Sequence, residues 1–250
     1  MLRVSTIVIT FVALIIMTRA AWAKSPLAVE LDVVGRQYHK DLAALDRLHD
    51  GLVQAAAADP DIDNLVALGR VAFLWGDVRA TTRDDKLAAY DRGREAGRRA
   101  AELAPRNPHG HFWYALNTAR WGQTRGVVRS LVLLPTIRAS LDRVIELDPG
   151  FTAAYAVIGN VLYEVPGVLG GDLRKAEEAF RIGLGQDPHF TAMRIGLAKT
   201  LAKLGRMDEA RRELQAVLDE RQPSNPADWT LRDAPNARQL LESLTGGRRS

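Results

Sequence analysis

The chain has 250 residues, with 34 lysine and arginine residues against 30 aspartate and glutamate residues, and it contains no cysteine. The absence of cysteine excludes disulfide bonds, thiolate-ligated metal sites, a cysteine nucleophile and a lipidated N-terminal cysteine. The small net charge and the short, dispersed basic clusters argue against a nucleic-acid-binding surface, so no nucleic-acid partner is expected.

The first 23 residues have the layout of a secretory signal peptide. Arg3 supplies a positive start, an apolar run of 14 residues follows, and Ala21-Trp22-Ala23 is a small-x-small cleavage site. A bilayer requires roughly 20 apolar residues, so cleavage after Ala23 is favoured over retention as a membrane anchor. Cleavage would also remove Arg19 and leave a nearly neutral chain. The sequence therefore predicts a soluble, unlipidated protein of the periplasm.

Residues 24–222 contain a self-similar helical pattern. The segment "LDRLHDGLVQAAAADP" has the apolar face of the second helix of a unit whose first half is degenerate. Four further units follow. Their first and last marker residues are Leu65 and Pro105, Trp113 and Pro149, Tyr155 and Pro188, and Leu197 and Pro223. Proline cannot continue a helix, so each closing proline marks a helix end. A small residue where two helices cross, followed by an alanine and a large apolar residue on the second helix, is the 34-residue tetratricopeptide pattern.

This register resembles the tetratricopeptide-repeat superfamily over most of residues 40–220. The resemblance implies an all-α fold, a right-handed α-solenoid of stacked helix–turn–helix units. Residues 223–250 complete the domain plan. A proline-rich connection, "RQPSNPADWTLRDAP", is expected to place Trp229 against the final pair, and "NARQLLESL" presents Ala237, Leu240, Leu241 and Leu244 on one face, as a capping helix would.

Three consecutive units contain extra residues between their first and second helices. These are "DVRATTRDDKL" (77–87), "GQTRGVVRSLVL" (122–133) and "EVPGVLGGD" (164–172). Equivalent turns of a solenoid line up along one side, so the three segments are expected to form one raised edge. We call residues 77–87, 122–133 and 164–172 the inserted edge, and arginines and aliphatic residues mix along it.

The glycines of the last insertion allow two interpretations, a phosphate-binding loop or a helix turn. A Walker loop requires G-x-x-x-x-G-K-[ST], and a dinucleotide loop requires G-x-G-x-x-G after a strand, and neither pattern is present. In the second interpretation Pro166 ends one helix, the glycines allow a tight turn, and Asp172 caps the next helix. We favour the turn.

No catalytic motif is visible elsewhere. His109 and His111 are two positions apart, so on a helix they point to different faces, and no third ligand lies at helical spacing from them. The sequence shows neither a Ser–His–Asp arrangement nor paired carboxylates. We predict no catalytic residue, no metal site and no cofactor, and an enzyme built on the inserted edge is the least favoured hypothesis.

The concave surface, where tetratricopeptide proteins usually bind, is the predicted site. By the repeat register it includes ten residues: Arg70, Phe73, His111, Tyr114, Thr118, Trp121, Asn160, Tyr163, Lys199 and Lys203. A groove with aromatic walls and a few amide and basic groups suits an extended peptide or an elongated anionic or amphipathic small molecule. The alternative is that these residues only pack or face solvent.

Two narrower resemblances bear on function. The segments "HFWYAL", "LPTIRASLDRVIELDP" and "LAKTLAKLGRMDEARRELQAVL" resemble the regulator of microtubule dynamics family, which has bacterial relatives. The turn P-x-x-x-G-G-D-x-x-K-A resembles the periplasmic T-component that accompanies some tripartite (TRAP) transporters. The second resemblance implies a protein that partners a solute-binding protein, and it leaves a homo-oligomer open.

The leading hypothesis is a non-enzymatic periplasmic scaffold that binds a protein or peptide partner through the concave groove and the inserted edge. The alternative is a small-molecule-binding accessory of a TRAP-type solute transporter, with a pocket around Trp121 and Tyr163.

Overall fold

A computed structural model describes residues 24–246 of the chain, with side chains as far as Leu244, so the predicted signal peptide lies outside the described residues. The described part is helical and contains no strand. Its principal helices are α1 (Pro26–Gln37), α2 (Leu42–Ala58), α3 (Ile62–Val78), α4 (Arg83–Leu103), α5 (Pro108–Arg125), α6 (Val127–Leu147), α7 (Thr152–Glu164), α8 (Leu173–Gln186), α9 (Thr191–Lys203), α10 (Met207–Asp219) and α11 (Ala234–Gly246).

Capping side chains fix where several of these helices begin. Asp61 accepts a hydrogen bond from the backbone N–H of Asn64 (2.7 Å) at the start of α3, and Asn107 accepts one from His109 N–H (2.9 Å) at the start of α5. Asp172 accepts from the N–H groups of Arg174 and Lys175 at the start of α8. Each cap satisfies a backbone donor that the first helical turn leaves without a partner. The predicted capping role of Asp172 is confirmed.

Consecutive helices pack as antiparallel pairs, and the pairs stack into a solenoid, which confirms the predicted fold class. The pairs α3/α4, α5/α6, α7/α8 and α9/α10 are the four predicted units. The half-unit predicted upstream has a first helix after all: α1 precedes α2 and packs on both α2 and α3. Its pattern was difficult to recognise because α1 buries few residues, chiefly Leu31 and Gly35.

The extra residues of the inserted edge take different forms in its second and third segments. Around residues 122–133 they are helical, because α5 continues to Arg125 and α6 begins at Val127, so that Gly126 alone forms the turn. In the third segment, between α7 and α8, they form a 3₁₀ turn, Gly167–Leu169, followed by two glycines.

The first two segments of the inserted edge contact each other, and the third contacts α6. Arg83 donates to the backbone carbonyls of Thr124 (3.1 Å) and Arg125 (3.3 Å), which joins the first segment to the second. Arg138 of α6 donates to the carbonyl of Gly170 (2.9 Å), which joins α6 to the third. Contacts therefore link the first segment to the second, and α6 to the third.

The C-terminal connection returns to the start of the solenoid. We call residues 224–233 the crossing segment; it contains a helical turn, Pro226–Asp228, and a π-helical turn, Trp229–Asp233. The indole N–H of Trp229 donates to the carbonyl of Val217 (2.8 Å), which confirms that Trp229 lies against the final pair. α11 then packs on α10 with Ala237 fully buried, as predicted for a capping helix.

Among residues 24–246, no helix has both the length and the apolar character that a bilayer span requires.

Candidate functional site

The crossing segment occupies part of the concave surface near the N-terminus. Ala227 is fully buried in the same core as Leu31 and Tyr38 of the first helical pair. The amide of Asn225 donates to the carbonyl of Gly35 (3.1 Å), and the hydroxyl of Tyr38 donates to Asp228. The two ends of the solenoid are thus joined by contacts between residues 190 positions apart.

A buried carboxylate, Asp77, anchors the crossing segment to α3. Its side chain is 7% exposed, and it accepts hydrogen bonds from Arg232 of the crossing segment (2.8 Å), from Arg120 of α5 (2.8 Å) and from the hydroxyl of Tyr90 (2.7 Å). Burial and the neighbouring carboxylate raise the pKa of Tyr90 far above its usual value, so its hydroxyl keeps its proton. Asp77 is therefore already bonded to Arg232, Arg120 and Tyr90 within the chain.

A second buried carboxylate, Asp233, ends the crossing segment against α9. It accepts a hydrogen bond from the hydroxyl of Thr191 (2.6 Å). Burial raises the pKa of Asp233 to about 6, and the nearby charge of Asp228 acts in the same direction. Because the pKa is higher in the folded protein than in the unfolded chain, stability from this group is complete below pH 3.8 and is lost as the pH rises through about 6.

Asp233→Asn is expected to abolish this pH dependence while keeping an acceptor for Thr191. Between about pH 4 and pH 8 the wild type should lose about 2 kcal/mol of unfolding free energy relative to the variant, since ionising the buried carboxylate costs energy. Urea unfolding of both proteins across this range measures the difference. Asp219→Asn, which changes an exposed carboxylate of α10, is the control. A constant difference between wild type and Asp233→Asn at all pH values would contradict the prediction.

Two predicted groove residues of α3 lie on the concave side, but both have partners within the chain. Arg70 donates to Asp32 of α1 (2.6 Å). Phe73 packs against the ring of Trp113 and beneath the guanidinium of Arg120, which lies 5.7 Å from the Phe73 ring centroid. His111, at the start of α5, has its Nε2 3.0 Å from the carbonyl oxygen of Pro105 and belongs to the turn between α4 and α5.

Two predicted groove residues of α5, Thr118 and Trp121, do not line the groove, and the groove position of Tyr114 stays a prediction. Thr118 is 1% exposed, so its assignment to the surface is wrong. The backbone of Tyr114 lies against Gly97 of α4, and Trp121 contacts Arg94 of α4. One residue along a helix changes the direction of a side chain by about 100°. The inward-facing residue of this turn is Arg120, which precedes Trp121 and which the sequence register did not identify.

The predicted residues that do come together lie at the C-terminal end of the concave surface. Tyr163 of α7, with Lys199 and Lys203 of α9, lines a cavity of about 250 Å³ whose apolar wall comes from Ala198, Ala202, Leu214, Leu240 and Leu244. Asn160 is exposed on α7, one turn before Tyr163.

Charge in this cavity is positive. The Lys203 ammonium lies 3.7 Å from the ring centroid of Tyr163 and 3.4 Å from its carbonyl oxygen. Neither Lys199 nor Lys203 forms an ion pair within the described part of the chain. An apolar wall beside two ammonium groups provides a site for an apolar group next to an anion. Sequence reasoning missed the contribution of Leu240 and Leu244, because only the fold brings α11 to α9.

Four backbone N–H groups of the glycine-containing turn between α7 and α8 are already hydrogen-bonded within the chain. The backbone N–H groups of Leu169, Gly170, Gly171 and Asp172 donate to carbonyls within the turn or at the end of α7. Gly170 has φ of 89°, and a Cβ on Gly171 would lie 1.7 Å from the carbonyl oxygen of Val165. The two glycines are therefore required by backbone geometry, which agrees with the interpretation as a helix turn.

The two neighbouring histidines have structural contacts. His109 packs edge-on against Phe151, with 5.1 Å between ring centroids, and His111 belongs to the α4–α5 turn described above. Within residues 24–246 no group of three His, Asp or Glu side chains has the geometry to hold a metal ion.

Two family models match the chain. The model described as regulator of microtubule dynamics protein 1-3 matches residues 30–168, and a tetratricopeptide-repeat model matches residues 169–234. Neither is a model of the T-component family. No curated protein matches the chain.

A solved structure of a tetratricopeptide-repeat protein has a similar fold. The protein TTC0263 of Thermus thermophilus is 19% identical, with a TM-score of 0.61 over 88% of this chain and 95% of that chain. A crystal structure of MamA is 17% identical, with a TM-score of 0.48 over 75% of this chain and 94% of that chain. The similarity to TTC0263 supports a shared fold and carries no further conclusion.

Proposed function

We propose that this chain, which belongs to the regulator of microtubule dynamics protein 1-3 family, is a non-enzymatic scaffold that binds an acidic, partly apolar segment of a partner protein. The tetratricopeptide-repeat fold is that of protein-interaction scaffolds. The observation that carries the proposal is the cavity of about 250 Å³ at which Tyr163, Lys199 and Lys203 meet the leucines of α11.

The chemistry of this cavity favours an acidic segment over a neutral one. Two lysines without carboxylate partners in the described region attract a carboxylate, either from a side chain or from a chain terminus. Leu214, Leu240 and Leu244 can then cover a neighbouring apolar side chain. The N-terminal half of the groove is a poorer site, because Asp77 already accepts from Arg232 of the crossing segment and from Arg120.

The compartment is part of the same proposal. The first 23 residues have the sequence layout of a cleaved signal, so we place the scaffold in the periplasm. The T-component resemblance, with its solute-binding protein partner, stays a prediction, as does a homo-oligomer. A solute-binding protein with an acidic exposed segment would satisfy both the cavity and that resemblance.

Selection of binders from a random peptide library tests the charge preference of the cavity. We expect enrichment of peptides in which Asp or Glu is next to Leu or Phe. The double variant Lys199→Glu/Lys203→Glu should weaken binding of a selected peptide at least about tenfold, measured by fluorescence anisotropy, because attraction becomes repulsion. Lys40→Glu, at an exposed lysine between α1 and α2, should leave the affinity within about twofold.

Two results would reject the proposal. One is a selection without acidic enrichment. The other is an unchanged peptide affinity in Lys199→Glu/Lys203→Glu, provided that circular dichroism shows the variant folded. A small ligand retained in native mass spectrometry of the wild type but not of this variant would favour the small-molecule accessory instead.

A further inference from the structure

The middle of the inserted edge is an exposed apolar patch. Val127, Val128 and Val132 are 76%, 78% and 62% exposed, and Val168 on the 3₁₀ turn of the third segment is 94% exposed. α6 buries no residue before Ile137, so its first two turns extend beyond the helical core. Single exposed aliphatic residues are ordinary, whereas several on one edge mark an interaction surface.

The second segment of the inserted edge, which contains three valines of the patch, is basic. No aspartate or glutamate lies between Glu102 and Asp142, and that interval contains Arg106, Arg120, Arg125, Arg129 and Arg138. Arg125 and Arg129, which flank the valines, are exposed and form no ion pair in the described region. The patch therefore offers positive charge that the chain itself does not neutralise.

Three guanidinium groups gather at the base of the patch. Those of Arg94, Arg125 and Arg129 lie 4.6, 5.0 and 5.5 Å from the ring centroid of Trp121. Only Arg94 has a carboxylate partner, Asp91 at 2.7 Å. Like charges held this close repel one another, so an anion beside Arg125 and Arg129 would be stabilised.

We propose that this edge docks on an anionic membrane surface. Val127, Val128 and Val132 would enter the boundary between lipid headgroups and acyl chains, while Arg125 and Arg129 contact lipid phosphates. An interfacial helix binds membranes through this combination of apolar burial and attraction to anionic lipids. The inference goes beyond the peptide-binding proposal and stands on different residues, since the peptide cavity is lined by α7, α9, α10 and α11.

The shape of the patch favours a lipid surface over a protein. Protein interfaces concentrate their binding energy in aromatic and arginine anchors that fill enclosed pockets. Here the exposed residues are small and aliphatic, and they lie on the projecting start of a helix, with Trp121 half-buried beneath the arginines. A fluid lipid surface requires no complementary pocket.

The absence of cysteine allows a site-specific test. In the chain that begins at Lys24, which contains every described helix, Val128→Cys carries a single environment-sensitive NBD fluorophore. Vesicles of phosphatidylcholine with about 30 mol% phosphatidylglycerol should shift its emission to the blue and raise its intensity. Pure phosphatidylcholine vesicles should not. The matched control is Val33→Cys on α1, where the valine is 59% exposed, and its label should not respond.

Cosedimentation with the same vesicles tests the arginines and the valines of the patch separately. Arg125→Gln/Arg129→Gln and Val127→Ser/Val128→Ser should each weaken binding to the anionic vesicles at least about tenfold. Arg36→Gln and Val33→Ser, at exposed positions of α1, should change it by less than about twofold. Raising the salt concentration should weaken binding of the wild type to the anionic vesicles, and it should not restore binding of the variants.

Other outcomes overturn the proposal. These are no binding to anionic vesicles, equal response of the labels at positions 128 and 33, or equal binding of neutral and anionic vesicles. If poly-L-glutamate shifts the label at position 128 and vesicles do not, the surface binds an acidic protein and not a membrane.

Discussion

Replacing Arg232 with alanine is expected to lower the free energy of unfolding by about 3 kcal/mol, because it leaves a buried carboxylate with one charged partner fewer. Asp77 is 7% exposed and accepts from both Arg232 and Arg120. Arg232 also pairs with Asp228 (3.2 Å), whose carboxylate accepts from Tyr38. The variant should therefore detach the crossing segment from α1 as well as from α3.

Urea unfolding measures the overall loss, and amide hydrogen exchange locates it. We expect protection to fall in α1 (Pro26–Gln37), which is far from position 232 in sequence but in contact with the crossing segment. Arg238→Ala, at an exposed arginine of α11, is the matched control and should change stability by less than about 0.5 kcal/mol. Equal stability losses in the two variants, or unchanged exchange in α1, would mean that the crossing segment does not hold the ends together.

The double variant Asp77→Asn/Arg232→Ala separates this pair from its surroundings. With the carboxylate already neutral, removal of Arg232 should cost clearly less than it does in the wild type, and the difference is the coupling energy between the two groups. A coupling energy near zero would show that Arg120 alone stabilises Asp77.

The repeat units, their closing prolines and the capping helix could be predicted because each depends on residues close together in the chain. The closing prolines Pro105, Pro149, Pro188 and Pro223 each follow the end of a helix, whereas Pro135 lies inside α6. Asp172 caps α8 through contacts two and three residues away. The position of the inserted edge also followed from spacing alone, because equivalent turns of a solenoid fall on the same side.

The crossing segment could not be predicted in the same way. The contacts of Asn225 with Gly35 and of Asp228 with Tyr38 join residues 190 positions apart, and no local pattern reports them. The prediction of which α5 residues line the groove was wrong for a different reason. The apolar pattern shows which side of a helix is buried only to within one residue. Arg120 and Trp121 are neighbours in sequence, yet one bonds Asp77 in the groove and the other contacts Arg94 on α4.

The turn between α7 and α8 should tolerate almost no side chain at Gly171. A Cβ there would lie 1.7 Å from the carbonyl oxygen of Val165 and 2.6 Å from its carbonyl carbon, and both are backbone atoms that cannot rotate away. Relief requires the turn to open, which would break the bond from Asp172 N–H to the carbonyl of Leu162 and move the cap of α8. We expect Gly171→Ala to lower the free energy of unfolding by about 4 kcal/mol.

Gly167→Ala provides the control within the same turn, since a Cβ at Gly167 meets no atom within 4 Å. Its effect should be within about 0.5 kcal/mol of zero. Thermal unfolding of the two variants gives the comparison, and amide exchange at Arg174 and Lys175 reports whether the cap by Asp172 is lost. If both variants were equally stable, the close approach of Gly171 to Val165 would not constrain the turn. A large difference between them would mean that chain geometry requires Gly171, independent of any ligand.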